Sequence, residues 1–144
     1  MSKTSASTMI NAPIQKVFEY TASPENGPMF IPNLNQNTNI SVTPTQVGQK
    51  WNWRFNMVGV DLMGEAEVTN VEAPHLWELK LSGASHGTWK FMFEEADGGT
   101  KVSLDVEYEM PQGVIGKLSA NAVEKINQKN TDDILQHLKT ILEE

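Results

Sequence analysis

Strict alternation of apolar and polar residues in the middle of the chain limits its folds more than any other feature. In "KVSLDVEYEM", Val102, Leu104, Val106, Tyr108 and Met110 alternate with polar or charged residues. "WNWRFNM", "LWELKLS" and "TWKFMFE" repeat the pattern with aromatic residues or leucine. Successive side chains of a strand point to opposite faces, so each segment has one buried and one wet face. This pattern is typical of an antiparallel sheet.

Two short helices are predicted before the alternating segments. Asn11 can cap the first helix, and Pro13 suits its first turn. Ser23 can cap the second, Pro24 can open it, and Pro32 should stop it. Because residues 3–10 form a weakly signalled strand, the chain is expected to begin β-α-α.

A long helix is predicted after the last alternating segment. Turns separate the strands, and Asp97-Gly98-Gly99 is the clearest of them. Pro111 should end the sheet, and the following ~30 residues have helical spacing that includes Ile115 and Leu118. The order is therefore β-α-α, six further strands and one long helix. A sheet with one apolar face and a helix with one apolar stripe cover each other, which predicts an α+β domain over residues 1–144.

The apolar stripe of this helix is interrupted by polar residues in "KINQKNTDDIL". At about 100° per residue, Asn130 lies between Ile126 and Ile134, and Asn127 lies about 60° further round. Either the amides contact a ligand, or they bond to backbone or buried water, as buried amides usually do. Small residues at the centre of the fourth strand, Gly64 and Ala66, either leave space for a ligand or let the helix pack closely.

Composition excludes several classes of function. The formal net charge is -7, whereas binding to nucleic acid backbones or anionic lipid requires a basic surface. The chain has no cysteine, hence no disulfide and no thiol chemistry. "MSKTSASTMI" lacks the apolar run of a signal peptide, and no stretch could span a membrane. A cytoplasmic protein is therefore expected.

Residues that could carry catalysis or bind metal show no supporting pattern. His75, His86 and His137 lack metal-ligand spacing, and no cofactor motif is present. Asp61, Glu65 and Glu67 lie on the face of their strand opposite to Leu62 and Ala66, so they are expected in solvent. An acid/base pair needs burial to separate its two pKa values, and this arrangement does not indicate such a pair. Alternation also places Arg54 opposite the tryptophans, hence outside.

Two segments resemble the START-like (SRPBCC) superfamily, in its polyketide cyclase/dehydrase-like branch. "INAPIQKVFEYTASPENGPMFIPN" resembles the opening of these proteins, and "GTWKFMFEEADGGTKVSLDVEYEMP" resembles their last hairpin. The match covers nearly the whole chain. The resemblance implies a helix-grip fold, in which seven antiparallel strands curl around the C-terminal helix and leave an apolar cavity. The two short helices would flank its mouth.

The resemblance and the strand faces together nominate a ligand-binding set. It comprises Phe30, Trp53, Phe55, Leu62, Trp77, Leu79, Trp89, Phe91, Tyr108, Ile126, Asn127 and Asn130. Such a cavity suits a small hydrophobic ligand, either a lipid or an aromatic, polyketide-like molecule, carried without a cofactor or metal.

Two other functions remain open from the sequence. The first is a cyclase/aromatase-type enzyme, for which Tyr108, Asn130 and Arg54 are the candidates to position a reactive chain or move protons. The second is docking of a protein partner at the cavity mouth, which an exposed apolar patch around Met29, Phe30 and Ile31 would favour.

Overall fold

The computed structural model describes residues 2–57, 59–109 and 120–144. Within them the chain forms seven strands, three α-helices and one short 3₁₀ helix. In chain order these are β1 (Ser2–Ile10), α1 (Ile14–Thr21), the 3₁₀ helix (Pro24–Asn26), α2 (Gly27–Phe30), β2 (Leu34–Thr38), β3 (Lys50–Met57), β4 (Val60–Glu72), β5 (Leu76–Gly83), β6 (His86–Ala96), β7 (Gly99–Glu109) and α3 (Ala120–Leu142).

All seven strands belong to one antiparallel sheet, in the order β1-β7-β6-β5-β4-β3-β2. The first strand pairs with the last, and the other neighbours are successive hairpins. Asp97 and Gly98 turn the β6–β7 hairpin with positive φ angles of 47° and 80°, a conformation that glycine adopts without strain. The expected α+β helix-grip fold is confirmed.

Of the two expected caps, the one at Asn11 is wrong, and Ser23 occupies its expected N-cap position but makes no side-chain cap bond. Pro13, rather than Asn11, occupies the N-cap position of α1, and it has no side-chain cap. The Ser23 hydroxyl donates backwards to the Glu19 carbonyl at 2.7 Å instead of capping the helix that follows. Serine oxygens bond to nearby backbone in either direction, so an N-cap pattern indicates a local bond but does not decide which one forms.

The second predicted helix is divided into two short pieces. Pro24 opens the 3₁₀ helix as expected, and α2 then completes a single α-helical turn that ends before Pro32. In α3 the described helix begins at Ala120 and runs for 23 residues. The expectations for Met110, Pro111, Ile115 and Leu118 fall outside the described residues.

Helix α3 lies closest to β1 and β7, at one edge of the sheet. Its C-terminal half covers a core in which Ile10, Val102 and Leu138 are fully buried. The Lys139 ammonium also donates to the Met9 carbonyl at 2.7 Å at this end. The N-terminal half of α3 covers the opposite end of the sheet, where a cavity separates it from β3, β4 and β5. No helix in the described part of the chain is long and apolar enough to cross a membrane.

Candidate functional site

A cavity of about 130 Å³ lies between the inner face of the sheet, the N-terminal half of α3 and α2. An engineered apolar cavity of roughly 150 Å³ is known to bind benzene, so this one has room for about one ring or a short chain. The wall is mostly apolar, and none of its described residues is Asp, Glu, Lys or Arg. The site can therefore hold an uncharged, largely apolar molecule.

Most of the residues nominated from the sequence lie together on this wall. They are Phe30, Trp53, Phe55, Leu62, Trp77, Leu79, Trp89, Phe91, Tyr108, Asn127 and Asn130. Contact of these side chains with a ligand remains a prediction.

Ile126 is the exception among the nominated residues. It is 39% exposed and lies outside the cavity wall. The inward stripe of α3 passes instead through Asn127, Thr131 and Ile134. Five helical steps of roughly 100° turn Ile126 about 140° away from Thr131, which explains its exposure.

Aromatic rings form one continuous side of the cavity. The rings of Trp51 and Trp77 stack at 6.1 Å between centroids, and Trp77 lies 5.8 Å from Phe91. The indole N–H of Trp77 donates to the Thr45 hydroxyl at 2.8 Å, so the polar edge of this ring is already satisfied within the protein. The protein has 4 tryptophans, and each one, including Trp53 and Trp89, lines the cavity.

The small residue at the centre of β4 has a different role from the one expected. A Cβ atom on Gly64 would overlap with the Trp53 ring and with the Ser82 carbonyl oxygen. Gly64 and Trp53 are directly opposed in the β3–β4 register. Glycine at this position therefore makes room for the indole ring of Trp53. It neither adds ligand space to the cavity nor serves close packing of α3.

Threonines form a hydrogen-bonded group where α3 meets β1. The Thr131 hydroxyl donates to the Asn127 carbonyl at 3.0 Å, and the Thr4 and Thr131 hydroxyl oxygens are 2.7 Å apart. Because Thr131 has only one hydroxyl proton, Thr4 is the donor in the second bond. Both threonines are more than nine-tenths buried, so the pair fixes the N-terminal half of α3 to the first strand.

Several other polar atoms of the cavity wall have no partner. Within the described residues, the buried side-chain atoms without a hydrogen bond are Asn37 Oδ1, Trp53 Nε1, Tyr108 Oη and Asn127 Nδ2. All of them belong to residues that line the cavity. Leaving a buried polar group unpaired costs about 1–3 kcal/mol, so native proteins rarely do so without a reason. A ligand that pairs with these atoms would remove that cost.

The polar residues of α3 that interrupt its apolar stripe thus line the cavity. Asn127 was expected near the edge of the stripe, but its Nδ2 is buried. The Asn130 side chain also faces the cavity, without a hydrogen bond in the described part of the chain.

Most of the other candidate residues lie away from this site. Arg54 is exposed on the outer face of β3, and Asp61 and Glu65 are exposed on β4. His137 on α3 instead contacts the Phe30 carbonyl through Nδ1 at 3.1 Å. No cluster of His, Asp or Glu in the described ranges could hold a metal ion.

Of the two histidines at the ends of strands, His86 reaches the cavity and His75 does not. His75 contacts the Phe93 carbonyl through Nδ1 at 3.3 Å, at the turn between β4 and β5. His86 was expected in a hairpin loop but is the first residue of β6, where its exposed side chain reaches the rim of the cavity.

Sequence reasoning missed Asn37, Thr4 and Thr131. A bulge between Leu34 and Gln36 shifts the register of β2, so Asn37 faces inward where alternation from Leu34 would not place it. Thr4 could have been found, because it has the same parity as the buried Ile10 on β1. Thr131 could have been found from its spacing to Asn127, which is one helical turn.

The sequence matches the family model described as polyketide cyclase / dehydrase and lipid transport over residues 1–143. No protein with a curated description matches it. Among solved structures, a protein from Thermus thermophilus is similar with a TM-score of 0.82 and 18% identity, over 98% of this chain and 97% of that one.

Two further solved structures share the fold. A START superfamily protein from Mycobacterium smegmatis has a TM-score of 0.76 and 13% identity, over 98% of this chain and 97% of that one. The di-domain ARO/CYC StfQ from the steffimycin biosynthetic pathway has a TM-score of 0.77 and 10% identity, over 98% of this chain and 50% of that one. At these identities the likeness shows the fold alone.

Proposed function

Because the chain belongs to the polyketide cyclase / dehydrase and lipid transport family, we propose that it is a binding or carrier protein for a small hydrophobic ligand. Family and fold support either hydrophobic-ligand binding or a cyclase-like role. The observation that favours binding is the cavity of about 130 Å³ with an aromatic wall and no charged side chain among its described residues. Residues 1–144 would act as one helix-grip domain around this ligand, which we expect to be lipid-like or aromatic.

A cyclase/aromatase-type enzyme is the alternative use of the same cavity. Tyr108 and Asn130 line the wall and could orient or protonate a reactive chain. Arg54, the third candidate, is exposed on the outer face of β3 and does not reach the cavity. The titratable groups among the described wall residues are Tyr108 and the rim residue His86, and no carboxylate accompanies them. These observations support binding over catalysis.

Docking of a protein partner at the mouth has weaker support. Met29 is 68% exposed on α2, but Phe30 beside it is only 2% exposed and faces the cavity. A contiguous apolar patch would have required both side chains to face solvent.

Native mass spectrometry of the purified protein, followed by titration with p-xylene, tests the proposed function. We expect a co-purified small molecule or, after its removal, p-xylene binding reported by tryptophan fluorescence. At a hundredfold excess over Kd, a ligand specific for the folded state adds about 2.7 kcal/mol to the free energy of unfolding.

A matched pair of variants locates the binding. Val106 lines the cavity, whereas Met63 lies on the outer face of β4 and is 59% exposed. Val106→Phe should fill part of the cavity and abolish p-xylene binding without lowering the melting temperature, and Met63→Phe should change neither. Unaltered p-xylene binding in the Val106 variant would refute the proposal. A wild-type protein that carries no co-purified molecule and binds neither p-xylene nor its polar analogues would refute it as well.

A further inference from the structure

The unpaired polar atoms of the cavity wall form two groups. Asn37 and Trp53 are directly opposed across β2 and β3. Tyr108 lies on β7, and Asn127 lies on α3, which packs against that edge of the sheet. Strands β4, β5 and β6 separate β3 from β7 in the sheet. The two groups therefore face the cavity from different sides.

The group formed by Asn37 and Trp53 offers one acceptor and one donor. Asn37 Nδ2 donates to the Pro24 carbonyl at 2.8 Å, so the orientation of the amide is set and its Oδ1 is the free acceptor. The indole N–H of Trp53 can only donate. A ligand hydroxyl both donates and accepts, so it matches this pair.

The group formed by Tyr108 and Asn127 is rich in donors. The fully buried unpaired atom of Asn127 is its Nδ2, which can only donate, whereas its Oδ1, also without a hydrogen bond in the described part of the chain, is not fully buried. The Tyr108 hydroxyl can donate as well, and the Tyr108 side chain is only 8% exposed. A carbonyl oxygen has two lone pairs and can accept from both.

We propose, on the basis of the binding function above, that the ligand is a compact uncharged molecule with a hydroxyl at one end and a carbonyl oxygen at the other. The hydroxyl pairs with Asn37 and Trp53, and the carbonyl pairs with Tyr108 and Asn127. A carboxylate or an ammonium is disfavoured because no described wall residue can neutralise it, and burial of an unpaired charge is costly.

A series of para-substituted benzenes of nearly equal size tests this assignment. It comprises p-xylene, p-methylbenzyl alcohol, p-tolualdehyde, p-(hydroxymethyl)benzaldehyde and p-toluate. Dissociation constants are measured by tryptophan fluorescence and calorimetry. We expect p-(hydroxymethyl)benzaldehyde to bind at least about tenfold more tightly than p-xylene, which corresponds to one well-made hydrogen bond. The affinities of p-methylbenzyl alcohol and p-tolualdehyde, which each carry one oxygen-bearing group, should lie between these two. p-Toluate should bind most weakly.

Variants assign each end of the ligand. Tyr108→Phe removes one hydroxyl. It should lower the affinity for p-(hydroxymethyl)benzaldehyde about tenfold and leave the affinity for p-xylene unchanged. Tyr20→Phe is the matched control, because Tyr20 is the only other tyrosine and is not on the wall. Asn127→Leu is a second variant of the same end, and Trp53→Phe should remove the preference for the hydroxyl.

The outcomes separate this inference from the proposed function. If p-xylene binds as tightly as p-(hydroxymethyl)benzaldehyde, or if Tyr108→Phe weakens both compounds equally, the polar assignment is overturned and the apolar cavity remains a binding site. If p-toluate binds most tightly, the uncharged ligand is ruled out. If no member of the series binds, both proposals fail.

Discussion

Asn130 and Thr131 are consecutive residues of α3 with opposite hydrogen-bonding situations. Thr131 is 3% exposed and bonds to both Asn127 and Thr4. Asn130 is half-buried at the cavity, and its side chain has no hydrogen bond in the described part of the chain. The same helical turn thus contains one polar residue that stabilises the fold and one that is available to a ligand.

Asn130→Leu should keep or raise the melting temperature and weaken the binding of p-(hydroxymethyl)benzaldehyde. An amide without a protein partner contributes no internal hydrogen bond, and its replacement by an apolar group is nearly neutral or stabilising. Thermal melts and a fluorescence titration of the variant provide the check. A clear loss of stability with unaltered affinity would show that Asn130 has a structural role only.

Thr131→Val should lower the free energy of unfolding by about 1–3 kcal/mol, because it leaves the Thr4 hydroxyl buried without its acceptor. When Thr4→Val is added, the loss should become smaller, since both partners are then apolar groups of similar shape. Urea denaturation of the two single variants and the double variant gives the coupling energy. Additive losses in this cycle would contradict the Thr4–Thr131 bond.

At the scale of elements, α2 is a single turn that contributes to both the cavity and the contact with α3. Phe30 is 2% exposed, lines the cavity and lies 5.9 Å from the Tyr20 ring. Its carbonyl contacts His137 of α3. Phe93 of β6 is not on the cavity wall, and its ring packs against Phe18 at 5.3 Å and against Phe91 at 6.3 Å between centroids.

Phe30→Ala should therefore weaken p-xylene binding and cost less stability than Phe93→Ala, for which about 3–5 kcal/mol is typical. The physical reason is that a side chain bordering a cavity loses fewer packing contacts on truncation than one packed on all sides. Chemical denaturation and titration of the two variants compare them. An equal loss of stability, with affinity unaltered in the Phe30 variant, would assign Phe30 to the core alone.

The C-terminal end of α3 is attached to the β1–α1 corner by Glu143. Its carboxylate accepts from the Asn11 backbone N–H at 2.8 Å and from Lys139 Nζ at 2.6 Å. The Lys139 hydrogen bond, followed by the one from Asn11, lowers the pKa of Glu143 below its ordinary value of 4.5. Because the folded-state pKa is lowered, the stabilisation is present above pH 4.5 and is lost as pH falls through the folded-state value.

Glu143→Gln should accordingly lower the melting temperature near neutral pH, and the difference from the wild type should shrink below about pH 4.5. The effect is small because the group is exposed to solvent. Melting curves between neutral and acidic pH measure it, and Glu144→Gln serves as the control at the neighbouring, exposed position. A difference that persists unchanged at low pH would contradict the ionic contribution.

At the scale of the whole molecule, the interior divides into a fully buried core and a cavity. The core lies where β1 ends and β7 begins, under the C-terminal half of α3. The cavity lies under the N-terminal half of the same helix, with α2 beside it. Side chains that border a void lack partner atoms on one side and lose those contacts. The cavity half is therefore expected to be less stable locally than the core half.

Native-state hydrogen exchange should detect this difference. Without ligand, amides of α2 and of residues 127–134 should exchange through local openings of lower free energy than amides of the β6–β7 hairpin near Val102. Saturation with p-(hydroxymethyl)benzaldehyde should reduce the difference in opening free energy between the two sets of amides. Equal opening free energies in both halves, with and without the ligand, would contradict a locally weaker cavity half.

The predictions from sequence succeeded where a local periodicity decides the outcome. Alternation of side chains is a property of each strand, so the inward positions of Trp53, Trp77 and Phe91 followed from their parity. The predictions failed where an irregular strand or a neighbouring side chain decides the outcome. The bulge in β2 reorients Asn37, and the ring of Trp53 occupies the space beside Gly64.

Period-two strands, turn residues and an amphipathic C-terminal helix determined the order of the elements and the packing of the helix on the sheet, because each acts over a few neighbouring residues. The helix-grip arrangement itself was predicted from the resemblance to START-like proteins. The cavity and its unpaired polar atoms were decided by the tertiary structure. Tyr108 on β7, Asn127 on α3 and Trp53 on β3 line the same cavity only after folding, and no local pattern encodes the volume left between them. A cavity is the difference between the space enclosed by packed elements and the volume of the side chains that enter it, and only the assembled fold determines that difference.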